Sequence, residues 1–212
     1  MESRLQDLRS EKNVKARIKY MNGHFVTSNA HVNTYIDMST VKCRHNNARE
    51  TAKTLAAPYE SIPVSTIVCL SDTSVIGTFM AEELSDNLQD SFSREINISV
   101  VSPEFNQMGQ IMFRDNNRRL VEGQQVLLLT DMLVTGSIIN KAIDAVLYYG
   151  GNVCGICAVF SNVSKVAGME VVNIFGARDI PNYAAYNPHD CPLCKAGQKI
   201  DAMVNGFGYS KL

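Results

Sequence analysis

The chain has 212 residues, 45% of them apolar and 19% charged, with 20 Lys and Arg against 21 Asp and Glu. A net charge of −1 leaves no basic footprint, so neither nucleic acid nor an anionic membrane is expected as a partner. No apolar run approaches the roughly 18 residues of a membrane span, and the opening MESRLQDLRSEK lacks the apolar stretch of a secretion signal. A cytoplasmic location is expected, and the six cysteines read as free thiols or metal ligands rather than a disulfide framework.

Residues 5–20 carry Leu5, Leu8, Val14, Ala16 and Ile18 among many charges, the pattern of a helix with one apolar stripe. Residues 21–37, MNGHFVTSNAHVNTYID, look extended, with Tyr35-Ile36-Asp37 as a short strand. A helix is predicted over 44–57, ended by Pro58, and a buried strand over 64–70 (VSTIVCL). After a polar loop at 71–76, a helix over 77–88 would turn Phe79, Met80, Leu84 and Leu88 inward, and 96–101 would be the next strand. Residues 102–123 have no clear period; a loop of that length in a compact domain is usually functional.

The chain is organised around residues 126–139, VLLLTDMLVTGSII. The apolar run 126–129 is too short for a helix and does not alternate, so it reads as a buried strand ending at Thr130-Asp131. A short loop over 132–136 leads to Ser137 and a helix reaching Tyr149, with Ile139, Ile143, Val146 and Leu147 inward and Gly150-Gly151 as its stop. A carboxylate beside a Thr-Gly-Ser turn and a helix N-terminus is a phosphate cradle, because backbone amides and the helix dipole favour an anion there. Gly136 would let the backbone approach that anion closely. Further strands are predicted at 153–160 and 171–175; from Pro181 on, regular structure looks sparse.

Strand–helix alternation from 62 to 176 predicts an α/β fold with a parallel sheet, right-handed crossovers and helices on both faces. Ligands of such sheets sit beyond the carboxyl ends of the strands, where the loops after Leu70, Val101, Asp131 and Phe160 would open. The cysteines form two C-x-x-C pairs. Cys154 and Cys157 lie in a predicted strand, where such neighbours face opposite sides, and read as core residues. Cys191 and Cys194, in a loop with His189 near, form a possible zinc site that needs partners from elsewhere.

The segment LLLTDMLVTGSI resembles the phosphoribosyl-pyrophosphate (PRPP) motif of type I phosphoribosyltransferases, with Thr130 where that family usually has a first acid. Residues 23–37 resemble the N-terminal hood of orotate phosphoribosyltransferases: Phe25, Ser28, Tyr35 and Asp37 fit, Asn29 replaces the usual Gly and Val32 the usual Ser. Residues 190–197, DCPLCKAG, are similar to a C-terminal segment of some members, so the resemblance spans residues 20 to 200. It implies a Rossmann-like parallel sheet core (58–176) in one domain, 1–212, with a small hood from residues 20–40 and 180–212.

The same resemblance implies the roles of the site residues. Asp131 would be the catalytic residue, its carboxylate binding the ribose hydroxyls; Thr130, Val134, Thr135, Gly136, Ser137 and Ile138 would complete the ribose and 5-phosphate cradle. Asp72, Thr73 and Ser74 would meet the pyrophosphate, with His31 where some members carry a basic residue. The implied reaction is phosphoribosyl transfer from PRPP to a nucleobase, orotate by resemblance and hence pyrimidine biosynthesis, with Mg2+ as cofactor in a homodimer. Two departures support an alternative, a PRPP- or nucleotide-binding sensor on the same fold. The stretch matching the family's catalytic loop, VSPEFNQMG at 101–109, holds no Lys or Arg, and Ser161-Asn162-Val163-Ser164 stands where orotate members place an Arg. Arg114, Arg118 and Arg119 lie further on, at a spacing that does not match.

Overall fold

The computed structural model describes residues 2–28, 30–87 and 97–212. The first strands, β1 (Gln6–Arg9) and β2 (Arg17–Val26), pair antiparallel, with Leu8 opposite Ile18. This corrects the helix expected over 5–20. Ala16, Ile18 and Tyr20 are buried while Arg17 between them is exposed, a period of two that belongs to a strand. The next strand, β3 (His31–Asp37), returns antiparallel along β2. Asp37 Oδ1 then accepts the Ser39 amide at 2.9 Å as the chain enters α1 (Ser39–Cys43).

The helix α2 (His45–Ala56) agrees with its expected span, capped by Ala57 before Pro58, and β4 (Thr66–Cys69) is buried along its whole length. The helix α3 (Ser74–Asn87) begins ahead of the expected Gly77, whose amide already bonds the Thr73 carbonyl at 2.9 Å. Gly77 sits inside the helix because a Cβ there would run into Cys69 Sγ on β4. Met80 and Leu84 face inward as expected; Leu88, Ile96 and Asn29 lie outside the described residues. After β5 (Ser99–Val101) the region expected as a long loop contains a hairpin, β6 (Glu104–Phe105) with β7 (Ile111–Met112), and the short α4 (Asp115–Arg118). Ile111, Phe113 and Val121 anchor it in the core.

The strand β8 (Gln125–Leu133) runs past the expected end at Asp131, because Met132 and Leu133 keep pairing with Phe160 and Ser161 of β9 (Asn152–Ser161). Between them lies α5 (Ser137–Tyr148), which buries Ile139, Ala142, Ile143 and Val146. Leu147, expected inward, is 57% exposed, since it follows Val146 by about 100° around the helix. The core closes with β10 (Lys165–Val166) and β11 (Met169–Gly176). The tail, expected to be sparse, adds β12 (Ala185–Tyr186), α6 (Pro192–Lys195), β13 (Ala202–Asn205) and β14 (Gly208–Lys211).

Apart from the β6–β7 hairpin, these elements build two six-stranded sheets. In the core the order is β10-β11-β9-β8-β4-β5, parallel throughout except for β10. One apolar cluster packs α2 and α3 on one face, through Leu55 and Ile76 against Ile67 and Leu127. The other packs α5 on the opposite face, through Ile139 and Val146 against Val68 and Leu128. The second sheet, β12-β3-β2-β13-β14 with β1 beside β2, joins the two ends of the chain. Its own core is Met21, Phe25, Val32, Tyr35 and Ala202. Among the described residues no helix is long and apolar enough to cross a membrane.

A bulge in β9 corrects the reading of Cys154 and Cys157. Val153 pairs with Val126 but Gly155 with Leu127, so Cys154 is an extra residue and the next side chains reverse face. Both cysteines thereby pack into the same cluster, where burial pushes the Cys154 thiol up to about 11 and Cys157 higher still. They are core residues, as expected, but they share one face.

Candidate active site

At the carboxyl ends of β4 and β8 a cavity of about 630 Å3 opens between the core and the second sheet. The sheet supplies a floor because β8 ends in a turn rather than another strand. Val134-Thr135-Gly136 leads into α5 with Gly136 at φ +83°, a left-handed conformation that opens the helix without a side-chain cap. A Cβ on Gly136 would also come within 3.2 Å of Val166 Cγ2, so the residue is fixed by packing as well as by backbone. The first amides of α5 therefore remain available to a ligand and carry the positive end of the helix dipole.

Asp131 projects into the cavity although it is only 4% exposed. Its Oδ2 pairs with Lys42 Nζ at 2.6 Å, and its Oδ1 accepts the Met132 amide at 2.6 Å. Burial raises the carboxyl above its ordinary value, while Lys42, the Met132 amide and the Ser71 hydroxyl pull against it. Lys42 comes from α1, and its ammonium also donates to the Gly206 carbonyl at 2.9 Å, so the second sheet's β13–β14 turn is tied to the floor. No local signal marked Lys42 in the sequence; only the docking of α1 against β8 reveals it.

The loop after β4 forms a second wall. Ser71 and Asp72 stand at φ +53° and +60°, two consecutive residues in a region that side chains avoid. Such strain is often kept where a ligand is held, and both residues line the cavity. Thr73 and Ser74 do not: Thr73 Oγ1 donates to the Leu70 carbonyl at 2.8 Å, and Ser74 Oγ lies 2.8 Å from Ser102 Oγ. Thr130 is fully buried on the other face of β8, its hydroxyl without a hydrogen-bond partner among the described residues. Val134, Thr135, Gly136, Ser137 and Ile138 all line the cavity. His31 does not; its Nδ1 lies 3.0 Å from His24 Nε2 and 3.3 Å from Cys194 Sγ.

The upper wall is made by the β2–β3 hairpin, with Ser28, Tyr35 and Asp37, and by Asn205 to Gly208 of the tail. Burial raises the Tyr35 hydroxyl well above its ordinary value, so it stays protonated as a donor. From the β6–β7 hairpin come Phe105 and Gly109, the latter's carbonyl 3.4 Å from Lys141 Nζ of α5. Among the described residues the lining holds two cations, Lys42 and Lys141. Arg114 is spent on an exposed pair with Glu104 at 2.6 Å, and Arg118 on Glu122 at 3.4 Å. The segment 161–164 does not line the cavity, and Ser161 Oγ bonds the Val163 carbonyl at 2.6 Å.

No family model matches the chain. An orotate phosphoribosyltransferase of Chlorobium phaeobacteroides is 25% identical over 184 residues, covering 86% of this chain and 87% of that protein. Orotate phosphoribosyltransferase of Mycobacterium tuberculosis H37Rv, solved in complex with PRPP, superposes with a TM-score of 0.51 at 17% identity, over 68% of this chain and 82% of that one. Adenine phosphoribosyltransferase from Rhodothermus marinus gives a TM-score of 0.51 at 14% identity, over 82% and 95% of the two chains. In sequence, then, the chain is similar to orotate phosphoribosyltransferases, and its fold is the type I phosphoribosyltransferase fold.

Proposed function

We propose that the cavity binds the 5-phosphoribosyl group of PRPP and that the chain transfers this group to a nucleobase, releasing pyrophosphate. The observation that carries the reading is the uncapped α5 N-terminus at Gly136 opening beside the buried carboxylate of Asp131. The amides of that turn suit a phosphate, and the carboxylate suits the two ribose hydroxyls. In the reaction the bond from the ribose C1 to the diphosphate breaks, the diphosphate leaves with the electron pair, and a base nitrogen bonds to C1.

Asp72, held in the strained loop and lining the cavity, would meet the diphosphate. Mg2+ seeks oxygen ligands, and the donors here are the carboxylates of Asp72, Asp37 and Asp131. A Mg2+ ion bound with the diphosphate would neutralise the charge developing on it. Lys141 would supply the remaining positive field, in place of the cations missing from 101–109, because the Lys42 charge is paired with Asp131. Orotate is the base the relatives' names point to; the countercharge for its carboxylate would come from Lys141 rather than from 161–164. The reading carries a homodimer with it, to be checked by sedimentation.

The test is turnover. Purified protein with PRPP and Mg2+ receives orotate, then other bases singly, while pyrophosphate release is followed. Release with one base supports the transferase; PRPP binding without release for any base would replace it by the sensor.

A further inference from the structure

A second constellation lies in the sheet that roofs the cavity, and it is independent of the phosphoribosyl reading. His24 on β2 is fully buried, and His31 faces it from β3 because Val26, two residues beyond His24, pairs with His31. Cys191 is the N-cap of α6 and Cys194 lies within it, so the Cys-Pro-Leu-Cys turn aims two sulfurs at the two rings. His189, named from the sequence as a neighbour of these cysteines, is exposed and outside the group. Among the described residues this is the one group of three or more side chains placed to share a metal ion, with all four ligand atoms within 4.8 Å of one another.

We propose that His24, His31, Cys191 and Cys194 form a structural zinc site. Four of the six edges between the ligand atoms come within about 0.3 Å of those of a tetrahedron. With Zn–N near 2.05 Å and Zn–S near 2.3 Å, the edges of a ZnN2S2 centre are about 3.3 Å for N–N and about 3.6 Å for N–S. The structure has 3.0 Å between His24 Nε2 and His31 Nδ1. The nitrogen–sulfur edges are 3.7 Å (His24 to Cys191), 3.6 Å (His24 to Cys194) and 3.3 Å (His31 to Cys194). The ring of His24 is oriented as a metal-binding imidazole: its Nδ1 lies 2.8 Å from the Gln198 carbonyl, which can only accept. Nδ1 therefore carries the proton, and the Nε2 lone pair points at the other three ligands. Two thiolates and two imidazoles select zinc over magnesium or calcium, which take oxygen. Four protein ligands leave no open position, which makes the site structural rather than catalytic.

The ion would join parts of the chain that are far apart in sequence. Cys191 and His24 are separated by 167 residues. The segment after Cys194 leads to Asp201, whose Oδ2 accepts the His24 amide at 2.9 Å and whose Oδ1 takes Arg4 at 2.9 Å. From there β13 pairs Ala202 with Phe25, and its turn with β14 places Gly206 on Lys42 above Asp131. A zinc ion at this point clamps the tail to the β2–β3 hairpin and so holds the roof of the cavity in place.

The whole protein, purified without chelator or affinity metal, is assayed for zinc by mass spectrometry and then, after stripping and reduction, titrated with Co2+. One zinc per chain is expected, and the cobalt form should show the visible bands and thiolate charge transfer of a tetrahedral N2S2 centre. Cys194→Ser, at an exposed position, should lose zinc and the charge-transfer intensity; His31→Asn should do the same. Stripping should lower the melting temperature, with recovery on Zn2+ and none on Mg2+. A protein that holds no metal and takes up no Co2+ after reduction overturns the proposal, as does a Cys194→Ser variant that keeps its full zinc. Both readouts are made without PRPP, so failure here leaves the phosphoribosyl reading untouched, and the reverse.

Discussion

Lys42→Met removes the cation that faces Asp131 and keeps most of the side-chain length. The two charges lie 2.6 Å apart with both side chains 6% exposed. At an effective dielectric constant of about 20 the gross attraction is about 6 kcal/mol, of which burial of both ions cancels much. Removing one partner strands the other, so the expected loss of stability is about 3–5 kcal/mol. For a chain of this size that is roughly 6–20 °C in melting temperature. Replacing Asp131 with Asn in the same chain should recover part of the loss, because no buried charge is then left alone. The sign of the pH dependence follows. Burial already raises the Asp131 carboxyl, and without Lys42 it rises further. A carboxyl raised in the folded state favours folding when protonated. The deficit of Lys42→Met should therefore shrink as pH falls below that raised value and grow as pH rises through it. Urea unfolding at several pH values measures this. A single variant within about 0.5 kcal/mol of the parent, or a double variant whose losses simply add, would refute the paired geometry.

Gly136→Ala places a Cβ at φ +83° and 3.2 Å from Val166, so it should cost about 1–2 kcal/mol in denaturant unfolding and weaken PRPP binding as well. Lys141→Met should weaken PRPP binding roughly two- to five-fold, an effect that fades at high salt because the lysine is exposed; equal loss at all salt concentrations would argue against a charge effect. Arg114→Ala breaks only an exposed pair with Glu104, and both the unfolding midpoint and PRPP affinity should stay where they are. A large loss of affinity there would place Arg114 in the site.

The parallel sheet was legible because its strands are short apolar runs: 66–69, 126–129 and 153–160 can be buried only as the centre of a sheet. The turn at the end of β8 was legible for a local reason too, since Gly136 and the helix that follows are contiguous. What escaped is either masked or non-local. Alternation at Ala16, Ile18 and Tyr20 was present, but the charges between them read equally as the polar face of a helix. The β13–β14 turn, Gly206-Phe207 between the paired Asn205 and Gly208, lies within a segment read as irregular. Lys42 carries no sign of its partner, because α1 meets β8 only through the fold. Likewise the spacing of Cys191 and Cys194 is that of a metal-ligand pair, whereas His24 and His31 come beside them only when the first and last thirds of the chain share a sheet.

The central claim is that the cavity between Asp131 and the α5 N-terminus holds a 5-phosphoribosyl group. Isothermal titration of the purified protein with PRPP and Mg2+, alongside Asp131→Asn, tests it most directly. Saturable heat is expected with the parent, and an affinity lower by roughly ten- to a hundred-fold in the variant, as for loss of hydrogen bonds to a charged group. No heat with PRPP, or the same affinity in both proteins, would contradict it.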